Sequence, residues 1–163
     1  MHPQPLPRPI NCGVGTVSDS RTAATDTSGQ LIQTLLQRAG HQVRDYRILP
    51  DVPEKITALC QVWAEEDQID VIIFTGGTGI APRDYTYEAI AGLLEKTLPG
   101  FGELFRSLSF QQVGSRAMAS RAIAGIYGST LVFSLPGSSR AVQLALEALI
   151  LPELPHLVGL LRG

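Results

Sequence analysis

The residues best suited to chemistry lie in one run, Thr75-Gly76-Gly77-Thr78-Gly79-Ile80-Ala81-Pro82-Arg83-Asp84. Gly76, Gly77 and Gly79 carry no side chains, so the backbone there is free to take positive φ and approach a ligand closely. Successive free N–H groups can form an anion-binding concavity, to which Thr78 adds a hydroxyl donor. The run lacks the Gly-Lys-Ser/Thr ending of a Walker loop. Asp84 extends the reading, because a carboxylate beside a phosphate needs a cation between them, and Mg²⁺ commonly combines one or two carboxylates with substrate phosphates. Asp84 could also help Thr86 cap a following helix. Arg83 could pair with phosphate or simply stand in solvent.

Two other segments share these features. Pro136-Gly137-Ser138-Ser139-Arg140 sets a turn before a helix, and either serine could cap it or donate to an anion. Ser18-Asp19-Ser20-Arg21 is weaker, since serine and aspartate are ordinary loop residues. Asp51 is a further loop carboxylate, and Asp26 and Ser28 are capping candidates.

These segments need a scaffold, and apolar periodicity supplies one. Strands are expected over 10–17 (weakened by Gly13 and Gly15), 43–49, 69–74, 121–127 and 130–135. Helices are expected from Thr27 to Ala39, from Pro53 through Trp63, from Thr86, after Pro99-Gly100, and from Ser138 to Ile150. Pro152 is expected to break the last of these before a short terminal helix. Strands alternating with helices imply right-handed βαβ units, while the short Gly128-Ser129 turn forces its two strands to be antiparallel. The expected fold is therefore α/β: a three-layer α/β/α sandwich with a mostly parallel sheet and one antiparallel edge pair. In such sheets ligands sit beyond the carboxyl ends of the strands, where all three polar segments fall.

Composition narrows the function classes. The 163 residues are 44% hydrophobic and 17% charged, with a net charge of −2, a globular balance that suits one core and gives no basic surface for nucleic acid. No uninterrupted apolar run reaches the roughly 18–20 residues that span a bilayer, so no membrane association is expected. Residues 1–9 are too proline-rich for a helix and too polar for a signal peptide, and are expected to be a flexible tail before a domain over 10–163. Cys12 and Cys60 read as buried free thiols, in keeping with a cytoplasmic setting. His2, His41 and His156 show no zinc spacing, and no nucleophile elbow is present.

Taken in order, Thr16-Val17-Ser18-Asp19, Asp26-Thr27-Ser28-Gly29, Thr75 to Gly79 with Arg83-Asp84, Pro99-Gly100-Phe101-Gly102-Glu103, Ser120-Arg121-Ala122 and Leu135-Pro136-Gly137-Ser138 resemble the molybdenum-cofactor biosynthesis family of MogA, MoaB and the gephyrin G domain. The likeness runs from about Cys12 to His156. It implies molybdopterin as ligand, with its terminal phosphate near the glycine loop. In the adenylyltransferase members that phosphate attacks the α-phosphate of Mg-ATP; others share the pocket and act as binding or accessory proteins. It also implies a homotrimer or hexamer, with other cofactor-biosynthesis proteins as further partners.

By similarity, Asp84 and Asp51 are the catalytic and Mg²⁺-holding acids. Ser18, Asp19, Gly76, Gly77, Thr78, Gly79, Glu103, Pro136, Gly137, Ser138 and Ser139 are the ligand-binding residues. Tyr87 departs from the family, which has proline there and so a more pre-organised helix start. Gly79-Ile80-Ala81-Pro82 leans towards the MoaB branch.

Overall fold

A computed structural model describes residues 9–163; the tail expected over 1–9 lies outside them except for Pro9. The chain runs β1 (Asn11–Val17), α1 (Thr27–Arg38), β2 (Gln42–Leu49), α2 (Pro53–Gln61), β3 (Val71–Thr75), α3 (Thr86–Leu93), β4 (Lys96–Thr97), α4 (Pro99–Val113), β5 (Ile123–Tyr127), β6 (Thr130–Leu135), α5 (Ser139–Ala145) and α6 (Leu151–Arg162). The six strands form one sheet in the order β2-β1-β3-β6-β5-β4. Its first four members are parallel, and β5 is antiparallel to both β6 and β4. This is the mostly parallel sheet with an antiparallel edge that the sequence implies, extended by the two-residue β4.

Alternation along the central strand creates the layers. Val71 and Ile73 of β3 face a core shared with Ile32, Leu36, Phe105, Val142 and Leu146. Ile72 and Phe74 face the opposite core, with Ile56, Cys60, Trp63 and Ile90. Successive strand residues point to opposite faces, and a strand covered on both sides must be apolar throughout; all five residues of β3 are buried. Helices α1, α4, α5 and α6 thus cover one face, and α2 and α3 the other.

The β1–β2 register shifts between Cys12 and Gly13, so β1 is irregular there as expected, yet Gly13 and Gly15 also make room for packing. A Cβ at Gly13 would lie 2.8 Å from the Trp63 ring, and one at Gly15 would lie 2.7 Å from Phe74. The missing side chains admit both rings, which stack with centroids 6.1 Å apart. Trp63 sits on a π-helical turn, Val62–Glu66, that continues α2, and its Nε1–H donates to Asp45 at 3.0 Å.

Pro152 does not break the last helix. A π-helical turn over Leu146–Ile150 joins α5 to α6, and Pro152 falls in the first turn after it. The Leu151 N–H reaches back to the Leu146 carbonyl, so the wider turn accommodates a residue with no N–H to donate. The resulting helix, Ser139–Arg162, has 24 residues and is long and apolar enough, by length and composition alone, to cross a bilayer. Gln143, Glu147 and Glu153 interrupt it, so it holds no uninterrupted apolar run of that length. In the fold its stripe of Val142, Ala145, Leu146, Ile150, Leu154 and Val158 packs into the core.

Candidate functional site

The glycine loop leaves the buried end of β3 and is tied on one side only. The Gly77 carbonyl accepts the Thr86 N–H at 3.3 Å, and the Thr78 carbonyl accepts the Arg121 N–H at 3.0 Å. The Gly79 carbonyl accepts from the Arg121 guanidinium, at 3.1 Å from Nε and 2.7 Å from the NH2 nitrogen. Because a trans peptide holds C=O and N–H antiparallel, the N–H groups of Thr78, Gly79 and Ile80 turn away from these tethers. Among the described residues, the amides of Gly77, Thr78, Gly79 and Ile80 donate to no backbone carbonyl. Four consecutive unspent donors are what an anion-binding loop requires.

Positive φ is needed at two of the glycines. Gly76 has φ +102° and Gly77 has φ +71°. A Cβ on Gly76 would strike the Val17 carbonyl oxygen at 2.3 Å, and one on Gly77 would strike Thr86 Oγ1 and Asp51 Oδ2. Gly79 differs from expectation, since its φ is not positive. A Cβ there would sit 2.8 Å from Asp84 Oδ2, the end of a side chain that would have to shift.

Both candidate catalytic carboxylates border this loop. Asp84 Oδ2 accepts the Ala81 N–H at 3.1 Å, which closes the loop's own turn. Asp51, just past β2, places Oδ1 3.1 Å from the Tyr85 N–H. That bond corrects the expected cap of α3: Thr86 is its first residue, and its Oγ1 is buried without a partner. An oxygen of each carboxylate, Asp51 Oδ2 and Asp84 Oδ1, makes no hydrogen bond within the described residues.

Burial pushes the Asp51 carboxyl above its ordinary value. The Tyr85 N–H opposes that shift, while the nearby Asp84 and Asp19 charges add to it. Asp19 joins this acidic corner, with Oδ1 accepting the Asp51 N–H at 3.2 Å and Oδ2 pairing with Arg83 at 2.7 Å. Arg83 pairs with Asp19 while its side chain stays largely in solvent, 76% exposed. No group of three His, Cys, Asp or Glu side chains is preassembled for a metal among the described residues.

The loops after β1 and β6 close on the glycine loop. Thr75 Oγ1 donates to the Pro136 carbonyl at 2.8 Å, and Ser28 Oγ donates to the Gly137 carbonyl at 2.6 Å. Between the loops is a polar cavity of about 120 Å³, bordered by Ser18, Arg21, Asp26, Ser28, Gly76 and Gly137. Ser138 caps α5 through the Ala141 N–H at 3.1 Å, and Ser139 Oγ donates to Thr27 Oγ1 at 3.2 Å. Ser18 Oγ is engaged by the Ser20 and Arg21 N–H groups. Asp26 Oδ1 caps α1 through the Gly29 N–H at 2.9 Å. Its other oxygen accepts from Thr16 Oγ1 at 2.6 Å and from the Tyr46 hydroxyl.

Glu103 stands apart from these residues. It borders a larger cavity, about 410 Å³, with Tyr87, Arg106, Ser120 and Arg121. Arg106 hydrogen-bonds the Ser120 and Ala122 carbonyls, at 3.3 and 3.1 Å, and Ser120 Oγ is buried without a partner. Arg121 divides this cavity from the glycine loop. In the sequence Arg121 stands out only as part of Ser120-Arg121-Ala122, because its partners come from residues 33 to 42 positions away.

Fold and loop cluster together define an open α/β-sheet protein with polar clefts at the carboxyl ends of its parallel strands. Comparison with known proteins places it within that class. The chain belongs to the family whose model is described as "Probable molybdopterin binding domain", matched over residues 13–156. It is 48% identical to molybdenum cofactor biosynthesis protein B of Bacillus cereus, covering 96% of this chain and 93% of that protein. A crystal structure of a molybdenum cofactor biosynthesis protein B superposes with a TM-score of 0.92 at 48% identity, covering 96% of this chain and 98% of that one. The tungsten cofactor synthesizing protein MoaB from Pyrococcus furiosus gives 0.85 at 38% identity, covering 97% and 100%.

Proposed function

We propose that this protein acts in molybdenum cofactor biosynthesis, binding molybdopterin with its terminal phosphate on the glycine loop and adenylylating that phosphate with Mg-ATP. The observation that carries the reading is the set of four unspent amides, Gly77 to Ile80, beside Asp51 and Asp84. Amides attract a phosphate and carboxylates repel it, so the pair is coherent only with a cation between them. Asp51 and Asp84 would hold Mg²⁺ through their uncommitted oxygens, which fits a metal that takes one or two carboxylates and fills its remaining positions with phosphate and water. Bound there, Mg²⁺ would neutralise charge on the reacting phosphates.

In the transfer, an oxygen of the molybdopterin phosphate attacks the α-phosphorus of ATP. A new P–O bond forms, the bond from the α-phosphorus to the bridging oxygen breaks, and pyrophosphate leaves. Such a step depends on positioning and charge neutralisation and needs no protein nucleophile. The chain's part is to hold the attacking phosphate on fixed amides. The small cavity among the loops after β1, β3 and β6 supports a nucleotide phosphate beside it, and the larger cavity holding Glu103 has room for a pterin ring.

A second reading is favoured by one observation: each acid already accepts a backbone N–H, which gives Asp51 and Asp84 a structural use without turnover. In it the protein binds molybdopterin as an accessory or carrier. Calorimetric titration with molybdopterin tests the shared claim, with saturable binding expected and absence of binding contradicting both readings. Release of pyrophosphate on adding Mg-ATP separates the enzyme from the carrier.

A further inference from the structure

We propose that Arg121 is a positioning residue that presents the glycine-loop amides to the phosphate and does not itself bind it; this rests on the loop's being the phosphate site. An arginine beside an anion loop is ordinarily read as an anion ligand, because its planar fork suits phosphate. Here the fork is already occupied. Nε and the NH2 nitrogen share the Gly79 carbonyl, and the same NH2 nitrogen reaches the Asp84 carbonyl at 3.2 Å. The other terminal nitrogen pairs with Glu88, held in turn by its place in the first turn of α3. The guanidinium carbon lies 4.9 Å from the centroid of the Tyr87 ring, so the cation also has an aromatic platform.

Through these bonds one side chain fixes both ends of the segment from Gly79 to Asp84. Pulling the Gly79 carbonyl inward turns the Ile80 N–H outward, and the Arg121 backbone N–H does the same for Gly79 through the Thr78 carbonyl. Holding the Asp84 carbonyl sets the backbone from which the Asp84 carboxylate projects. Tyr87 thereby gains a role: at this helix start the rigidity that proline would give is supplied by a Tyr87–Arg121–Glu88 stack. The guanidinium pairing holds the Glu88 carboxyl below its ordinary range, in keeping with a permanently charged clamp.

The test follows loop amides by ¹⁵N spectra of the full chain, titrated with inorganic pyrophosphate in the presence of Mg²⁺. In the native protein, Gly77 to Ile80 should shift and saturate. Arg121→Ala should weaken that binding at least about tenfold, the scale of a lost charge-assisted contact. Free guanidinium ion should restore much of it, whereas Arg121→Lys, which cannot fork, should remain intermediate. Glu88→Gln keeps the Gly79 and Asp84 bonds and should weaken binding by less than Arg121→Ala.

Native affinity in Arg121→Ala, or full affinity in Arg121→Lys, would overturn the proposal while leaving the loop as the phosphate site. A loss that guanidinium leaves unchanged would assign Arg121 to the fold alone and also overturn it. Loop amides that ignore pyrophosphate in the native protein would remove the phosphate reading itself. If Arg121→Ala does not fold, the Lys and Glu88→Gln variants still decide.

Discussion

The Asp51 carboxylate accepts the backbone N–H of Tyr85 at 3.1 Å, so a residue just past β2 caps the helix that follows the glycine loop. This bond joins the candidate metal-holding acid to the segment carrying Asp84. Asn retains an oxygen that can accept the Tyr85 N–H, whereas Ala does not. Asp51→Asn is therefore expected to keep thermal stability within about 1 kcal/mol of native while lowering Mg²⁺-dependent ligand affinity. Asp51→Ala should lose both, with a stability cost of about 1 kcal/mol for the missing cap. Thermal unfolding and calorimetry on the two variants separate the roles.

The same acid sets a pH dependence. Its folded-state pKa is raised by burial and by Asp84 and Asp19, so the folded protein holds the Asp51 proton more tightly than the unfolded chain does. The associated penalty is fully present above the folded pKa and is relieved as pH falls through it. Asp51→Asn should therefore gain relative stability at neutral pH and lose that advantage in acid. Mg²⁺ binding should weaken as pH falls, because the proton competes with the metal for the Asp51 carboxylate. Unfolding curves and Mg²⁺ titrations across pH 3–7 (about the range set by ordinary carboxylate values) check both directions.

Gly76→Ala is expected to be more damaging than Gly79→Ala. The first sets a Cβ 2.3 Å from a backbone oxygen at φ +102°, and the second meets only the mobile end of Asp84. Strain in the left-handed region alone costs about 1–3 kcal/mol. Denaturant unfolding should show that loss for Gly76→Ala and a smaller one for Gly79→Ala, with ligand affinity reduced in both.

Burial pushes the Cys12 and Cys60 thiols up to about 12, so neither forms a reactive thiolate near neutrality. Both should resist a thiol-specific reagent at pH 8 in the native protein and react promptly once it is unfolded. Rapid labelling of either in the folded state would contradict the packing described.

Exposed Phe110 and Val113 stand three positions apart on one side of α4, and exposed Met118 lies on the 3₁₀ turn after it; we propose this surface as part of a trimer or hexamer contact. Of the small residues that precede and enter β5, Ala117, Ala122, Ala124 and Gly125 are buried within the subunit, whereas Ala119 is exposed. Phe110→Asp should lower the sedimenting mass without altering the circular dichroism spectrum. An unchanged mass would place the contact elsewhere.

The layers, the parallel sheet and the meeting of three strand-end loops were legible because apolar periodicity and glycine placement are local signals. Contacts between distant segments were not. Thr86 has the chemistry of a cap, yet Asp51 takes that role from 34 positions away. Gly13 and Gly15 look like flaws in β1 until Trp63 and Phe74 are seen against them. Pro152 signals a stop, but a π-helical turn absorbs it. β4 has two exposed residues, too few to show a period. Glu103 matched the family by motif, while its cavity across Arg121 from the glycine loop follows only from the packing of α4 against β5.

The most direct measurement is pyrophosphate release from Mg-ATP as molybdopterin is added, for the native protein and Asp84→Asn. The account predicts release that requires molybdopterin, saturates with it, and falls about 100-fold or more in the variant, the scale of losing a group that acts on transition-state charge. Full-rate release by Asp84→Asn would contradict the role given to that carboxylate. No release by the native protein, with molybdopterin bound, would contradict adenylyl transfer.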